Sequence, residues 1–548
     1  MTNSMYMKNI FVSLSLLAVV AALPGCSKDF TNKPPQSQLT AATFYKSADE
    51  LMAATAPLYN IVWFEYNDKG SIGIGDARGG NMQTNDYAPF YKFAVPSTDV
   101  STLLTAYKAF YKTVAQANVL MLNIKLYSGG VTDAQKNAAI AEARFMRGLA
   151  YAYLVRNWGP VPIIYDNVAQ LNDTTITRNN IADVWKLIIM DFSYAAKNLP
   201  ATAPQPGRLT KWSAEGMLAK MYLTRAGVGT PGSGTRTQSD LDSAKYYAGD
   251  VIHNGPYELE ANYGDLFTSA KNGGTNNDAE SLFSLQWVPS SATWGTNNSF
   301  QAYMAKDGTI TGSWDGWGAA HGASADLIKY YMTHPEDSLR RKATFMFDGD
   351  YYPEIDQKDG GYHYSSTSVA NVKKYIIGSP ADNGGKGQEM AEYINTYMLR
   401  LAEVYLIYAE AILGNGASTS DAEAIKYFNE VRARAGMPTM STITFDDIFQ
   451  EKRIETAMEG VCWGEYIRVY YFNPSKAKAM IAAQDKGNYT ISYVAGTTNP
   501  RQWSVSYTPT YWPATDQTIY LPFPESEMVK SPGLAKPPTA FDFSKLSN

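Results

Sequence analysis

The stretch EARFMRGLAYAYLVRNWGPVP, residues 142–162, decides the fold class. Phe145, Leu149 and Tyr153 recur at i, i+4 and i+8, which lines them along one face of a helix. The alanines between them permit close approach of a neighbour. Upstream, Thr132 and Gln135 have the spacing of a capping box, and downstream Gly159-Pro160 stops the helix. A long helix flanked by other helix-like stretches points to a mainly α architecture.

Those stretches lie on both sides. LMAATAPLYNIVW (51–63) follows a second capping box, Ser47 with Glu50. YKAFYKTVAQANVLMLN (107–123) carries Tyr and Phe at helical spacing, the mark of a core helix. NIADVWKLIIMDFSYAAKNLP (180–200) is ended by Pro200. LTKWSAEGMLAKMYLTRAG (209–227) has Thr210 as N-cap and Gly227 as stop. SDLDSAKYYAGDVIHNG (239–255) adds another. Helices return with MLRLAEVYLIYAEAILG (398–414), STSDAEAIKYFNEVRARAGMP (418–438, with Ser420 and Glu423 as capping box) and TFDDIFQEKRIETAMEG (444–460). Antiparallel helix pairs with Tyr and Ala at packing positions have the look of tetratricopeptide units, without a regular period.

Between the two helical blocks the chain changes character. SAKNGGTNNDAESLF (269–283), SSATWGTNNSF (290–300), TGSWDGWGAAHGAS (311–324) and GSPADNGGKGQ (378–388) are rich in Gly, Asn and Ser, with Trp embedded. They read as loops, joined by a few short strands such as SLFSLQWV (281–288). The end, TIYLPFPESEMVKSPGL, reads as extended and Pro-rich. The expected organisation is a single domain over 41–548, helical over 41–260, loop-rich over 261–392, helical and C-terminal over 393–548.

The front end has its own meaning. An apolar run of about 14 residues after Lys8 is shorter than the roughly 20 a spanning helix needs, and suits a secretory signal. Leu23-Pro24-Gly25-Cys26 resembles a bacterial lipobox, in which the cysteine is lipidated and begins the mature chain. Residues 1–25 are thus read as a lipoprotein signal peptide and 26–40 as a polar tether. Ser27-Lys28-Asp29 is similar to a surface-export signal.

Composition excludes several classes. The 548 residues carry a formal charge of −5 with no basic block, against nucleic acid as partner. Besides Cys26 only Cys462 is present, so no disulfide framework can form once Cys26 is acylated; Cys462 reads as a small buried filler. The four His residues are scattered, with no i, i+4 pair for zinc. GIGDARGG (73–80) starts like a dinucleotide loop, but Arg78 stands at the third glycine position. PGSGT lacks nucleophile-elbow spacing, and Asn383 and Gly387 break the phosphate-loop pattern of GSPADNGGKG. No cofactor is called for. Calcium at DGDYYPEID (348–356) is the one metal alternative, and its spacing fails the EF-hand template, which favours a solvated loop.

Several of these stretches together resemble the SusD/RagB family of Bacteroidetes outer-membrane nutrient-binding lipoproteins: 142–162, RLTKWSAEGMLAKMYLTRAG (208–227), MLRLAEVYLIYAEAI (398–412), AIKYFNEVRARAG (424–436), FQEKRIETAMEG (449–460) and LPFPESEMVKSPGL (521–534). They stand in the family's order behind a lipobox. One stretch departs. Where the family continues Glu-Gly-x-Arg-Trp-Phe-Asp-Leu-Arg-Arg, this chain reads EGVCWGEYIRV, with Cys462 for Arg, Gly464 for Phe and Glu465 for Asp. Gly464 should weaken its helix by about 1 kcal/mol relative to Ala. The resemblance implies tetratricopeptide-type helix pairs, no catalysis, a glycan site on a loop face, and docking as a lid on a SusC-like TonB-dependent transporter. It implies lipid anchorage in the outer membrane, exposed at the cell surface, in polysaccharide utilisation and nutrient uptake.

The binding reading rests on tryptophans in polar loops. Trp294, Trp314 and Trp317 have few sequence neighbours able to bury them, and an exposed Trp invites a ligand or partner. The plainer alternative folds each back onto the scaffold. A second candidate patch is GDARGGNMQTNDY (75–87), where Arg78, Asn81, Asp86 and Tyr87, with Asp76, offer donors and acceptors for sugar hydroxyls. The leading expectation is a non-enzymatic, surface-anchored binder of oligo- or polysaccharide. Its rivals are a peptide-capturing lid of the same type, an exported glycan-degrading enzyme, and a scaffold with no small ligand.

Overall fold

The computed structural model describes residues 40–171, 173–289, 294–314, 316–497 and 502–546. The signal peptide and Cys26 lie outside the described residues, as does the tether up to residue 39.

Residues Asp133–Trp158 form one helix, begun by the Thr132 capping box with Gln135 and closed by Gly159 at φ +69°. The sharp stop needs that glycine, since a side chain is strained at positive φ and a Cβ there would press the Tyr520 ring at 3.2 Å. From Ala141 nearly every residue is buried, because the helix is sandwiched between Leu103–Tyr127 and Ile181–Asn198. Arg147 clamps it to the latter, donating from Nε and Nη2 to the two Asp191 oxygens at 2.8 Å each. On the other side Phe110 and Tyr153 stack with centroids 5.2 Å apart.

The helices then succeed one another by neighbour contact: Ile181–Asn198 on Lys211–Arg225, that on Gln238–Asn254, and that on Leu401–Leu413. Leu401–Leu413 packs in turn against Ala422–Arg434 and Phe445–Glu455. The scaffold is therefore continuous in space across the long insertion. The two ends of the insertion are stitched by strand Ser281–Leu285, which pairs antiparallel with Thr396–Arg400 immediately before the next helix. Strands elsewhere among the described residues are short and paired in twos. The fold is mainly α, as the periodicity predicts.

A buried ionic cluster locks insertion to scaffold. Five cations (Arg340, Lys374, Arg400, Arg432, Arg434) meet five carboxylates (Glu280, Asp337, Glu451, Glu455, Glu459) in one connected set of ion pairs. Arg340, Lys374, Glu280 and Asp337 come from the insertion; the others come from the helical block after it or its first strand.

Some local expectations need correction. The helix Ala422–Arg434 is capped by Asp421, whose carboxylate accepts from the Glu423 and Ala424 amides, so Ser420 and Glu423 form no capping box. The loop-rich region contains helices of seven to nine residues at Ala325–Thr333 and Ser338–Thr344 and single turns at Phe300–Met304 and Gly308–Thr311, and the tail a short one, Glu525–Lys530. Gly464 is not simply a weak spot: a Cβ there would lie 2.6 Å from Nη1 of the buried Arg156. Beside it, Glu465 pairs with Arg468 at 2.7 Å and with Lys452 at 3.2 Å. Cys462 is buried, and burial pushes its thiol up to about 12, which makes it inert.

Candidate functional site

The start of the expected glycine-rich loop 75–87 belongs instead to a buried π-helix, Tyr66–Ala77. This geometry is rare and is frequent at functional sites. Its glycines serve packing: a Cβ on Gly75 would sit 2.7 Å from the Gly460 backbone. Just beyond, Asp76 accepts from the Met458 amide (3.0 Å), the Gly460 amide (2.7 Å) and the Asn81 side-chain amide (3.1 Å). Burial nonetheless pushes its carboxyl up to about 6.

Three of the sugar-contact expectations, Asp76, Arg78 and Asn81, are therefore corrected, since all three are buried. Asn81 is fully buried, with Oδ1 accepting from Arg453 Nε at 2.9 Å. Arg78 is buried with its guanidinium 4.1 Å over the Trp463 ring, donating to the carbonyls of Thr518 and Ile519. Burial draws its pKa down to about 9. Both residues join internal segments, and neither reaches the surface. Short polar side chains among glycines looked loop-like; the apolar Ile72, Ile74 and Ala77 between them turned the segment inward.

Tyr87 is buried as well, against its expected role as a sugar contact, while Asp86 and the three tryptophans lie nearer the surface. Trp317 begins a tight turn, Trp317–Ala320, and is 39% exposed, its inner edge against Tyr303 at 5.4 Å between centroids. Tyr303 sits on the short helix Phe300–Met304. Burial and the neighbouring Asp68 carboxylate, which its hydroxyl bonds, raise the phenol above its ordinary value. Asp68 also accepts from Ser299 Oγ at 2.6 Å. Trp294 is 56% exposed and braced edge-on by Phe64 at 5.0 Å, beside the half-exposed Ile61. Phe64 and Asp68 are four residues apart on one segment, so the two tryptophan-bearing loops are anchored side by side. Trp314 is 84% exposed.

Asp86 and Tyr87 join this group through His321. The imidazole Nδ1 lies 2.6 Å from the Tyr303 carbonyl and Nε2 lies 2.9 Å from Asp86 Oδ2. The Tyr87 ring packs over it at 5.9 Å and is itself buried, which raises its phenol above the ordinary range. Asp86 keeps most of its side chain in solvent. The loops thus present exposed indoles, with the Asp86 carboxylate linked through His321 to Tyr303 beneath Trp317. The interior crevice lined by Tyr66, Asp76 and Gly460 admits only about one water molecule.

Sequence reasoning missed Phe64, Asp68, Tyr303 and His321. The first three look like ordinary helix residues. His321 carried a usable signal, four residues after Trp317 in the same glycine-rich stretch.

The calcium alternative finds its carboxylates engaged. Asp350 pairs with Arg341 and accepts from the Phe347 amide; Asp348 accepts from the Ser366 and Tyr493 amides; Glu354 faces Lys373 at 3.3 Å. Among the described residues no group of three or more His, Cys, Asp or Glu side chains is arranged to hold a metal ion.

Comparison with known proteins agrees with this architecture. The SusD family model matches residues 279–539, and a model described as starch-binding associating with outer membrane matches residues 46–223. A SusD-like protein of Bacteroides ovatus is 38% identical, over 98% of this chain and all of that one. The starch-binding protein SusD of Bacteroides thetaiotaomicron is 25% identical over 63% of this chain and 67% of its own. A crystal structure with xylogluco-oligosaccharide superposes with a TM-score of 0.81 at 37% identity, over 90% of this chain and 99% of that one. With a 38% identical relative matched from end to end and two family models spanning both halves, the chain belongs to the SusD family.

Proposed function

We propose that this chain captures a plant-type β-glucan, of the xyloglucan class, on the face bearing Trp294 and Trp317. It then passes the glycan to a TonB-dependent transporter of the outer membrane. The observation that carries the reading is the pair of exposed indoles braced by Phe64 and Tyr303. A sugar ring presents a flat C–H face to stack on and hydroxyls to bond at the rim, and Trp serves the first need while Asp86 serves the second. The 37% identical neighbour with xylogluco-oligosaccharide supports the ligand class. The chain is a binding protein and not an enzyme, in keeping with its family.

The test is calorimetry of the chain from Ser27 onward against xyloglucan, laminarin and starch oligosaccharides, with the sugars analysed afterwards. Xyloglucan fragments should bind and be recovered intact. Binding of none of the three, or shortened chains, would overturn the reading.

Anchorage is proposed through lipid on Cys26, and none of the described helices is long and apolar enough to cross a membrane. One acyl chain binds only marginally and two or more hold firmly. Cys26→Ala should move the protein from the membrane fraction to the soluble fraction in cells. Retention in the membrane would remove lipid anchorage from the account.

A further inference from the structure

We propose that an aliphatic patch on the outer side of helix Leu103–Tyr127 rests on the lipid bilayer that holds the chain's anchor. It is a second contact, made by the protein itself, beside the lipid on Cys26. The proposal rests on the anchorage reading above and adds to it which side of the protein faces the membrane.

Leu103–Tyr127 buries one face and leaves a stripe open. At 3.6 residues per turn, Lys108, Lys112, Val119, Leu122 and Leu126 fall within one narrow sector of its circumference. All five are exposed. Beside the stripe sits the single turn Asn167–Gln170. Asn167 fixes it there, its Nδ2 donating to the Ala115 carbonyl at 2.8 Å and its Oδ1 accepting from Asn118 Nδ2 at 3.1 Å. That turn carries Val168, and Leu171 follows it, at 80% and 79% exposure, with Leu126 at 60%. A single exposed aliphatic side chain is ordinary; five on two adjoining elements make a patch that calls for a cover. Val and Leu lack the flat face and polar tip that suit a sugar, so this is no second glycan platform.

The point where the chain leaves the patch names the cover. The described residues begin at Thr40. Lys46 Nζ donates to the Tyr127 carbonyl at 2.6 Å, and the Tyr45 hydroxyl accepts from Asn123 Nδ2 at 3.2 Å. The N-terminal segment therefore enters the fold at the end of the helix that bears Leu122 and Leu126. Thr40 stands fourteen positions after Cys26. Even fully extended, that stretch spans at most about 50 Å, short of the roughly 60 Å breadth of a globule of this length. A lipidated Cys26 thus keeps the bilayer near this end of the helix and away from the far side. Lys108 and Lys112, further along the same stripe, suit the phosphate headgroups. A lipid on a tether limits distance alone; the patch sets orientation.

The test replaces the lipid by a histidine tag ahead of Ser27, held on vesicles of phosphatidylethanolamine and phosphatidylglycerol through a nickel-chelating lipid. It therefore does not depend on acylation of Cys26. An environment-sensitive dye is attached through Leu126→Cys, Val168→Cys or Tyr246→Cys, one at a time, while the buried Cys462 stays unlabelled. Tyr246 is the exposed control, on helix Gln238–Asn254, well along the succession of helices from the patch. On vesicles the dyes at positions 126 and 168 should shift to the blue and be quenched by nitroxide-labelled lipid, with no change at 246. Val119→Asp together with Leu122→Asp, both at exposed positions, should abolish the shift while leaving the circular dichroism unchanged. Dyes at 126 and 168 that stay aqueous on vesicles, or a shift that survives the double change, would overturn the proposal. A shift that grows with protein concentration in the absence of vesicles would assign the patch to a second copy and overturn it equally. If Cys26→Ala leaves the protein membrane-bound in cells while the vesicle signal appears, the lipid reading fails and the membrane-facing patch stands.

Discussion

Trp317→Ala should weaken binding of a xylogluco-oligosaccharide by about 30-fold or more, the effect of losing a central Trp contact of about 2 kcal/mol. The ring is suited to this role because its orientation is already set. Tyr303 supports its inner edge, and the Gly318 amide, donating to Ala305 O at 2.7 Å, fixes the turn beneath it. The ligand therefore spends little on ordering it. The same reasoning places Trp294→Ala close behind, since Phe64 braces that indole. Trp314 stands otherwise. At 84% exposure it has almost no packing to hold it, so a ligand must immobilise it at a cost of about 0.5–1.5 kcal/mol. Its removal should cost the least of the three. Calorimetric titration of the three alanine variants gives the ranking, and equal losses in all three would show that bracing does not matter. Unfolding midpoints should barely change, because none of the three rings is a core residue.

How much of this was legible in the sequence follows from where each signal resides. Helix periodicity is local, so Phe145, Leu149 and Tyr153 announced the scaffold at once, and the Thr132 and Thr210 caps fell where their side chains could reach the first free amides. An exposed Trp among Gly, Asn and Ser is nearly local too. The glycine-rich patch 75–87 misled because glycine has two uses. It permits loops, and it permits close approach of backbones, as Gly75 does against Gly460. The apolar Ile72, Ile74 and Ala77 hint at the second use, but the deciding partner is almost four hundred residues away. Asp76, Arg78 and Asn81 were misread for the same reason. Polar side chains read as surface until the distant Met458, Gly460, Thr518, Ile519 and Arg453 are seen to satisfy them. His321 and Tyr303 belong together only through tertiary contact.

Glu455→Ala should destabilise the fold by about 3–5 kcal/mol, the cost of breaking a buried ion pair from one side. The residue is at the centre of the ionic cluster. Its carboxylate accepts from Arg340 at 3.1 Å, from Arg400 at 2.6 Å and from Arg434. With five cations balanced by five carboxylates, the fully ionised cluster is neutral. Deleting Glu455 leaves one positive charge in excess where water cannot reach it. Glu455→Gln keeps the shape and an acceptor oxygen but not the charge, so it should lose nearly as much at neutral pH. Acid separates the two contributions. Burial alone would raise the Glu455 carboxyl, but Arg434, Arg400 and Arg340 overrule it and hold it at about 2, against an ordinary 4.5. A depressed carboxyl contributes stability that is complete above its unfolded value and disappears as pH falls through its folded one. The advantage of wild type over Glu455→Gln should therefore be constant above about pH 4.5 and shrink toward about pH 2, by roughly 3 kcal/mol in all. Urea unfolding of both proteins across that window measures it. A gap that stays constant down to pH 2 would show that hydrogen-bond shape, and not charge, holds the insertion to the helices, and with it the face on which Trp317 is carried.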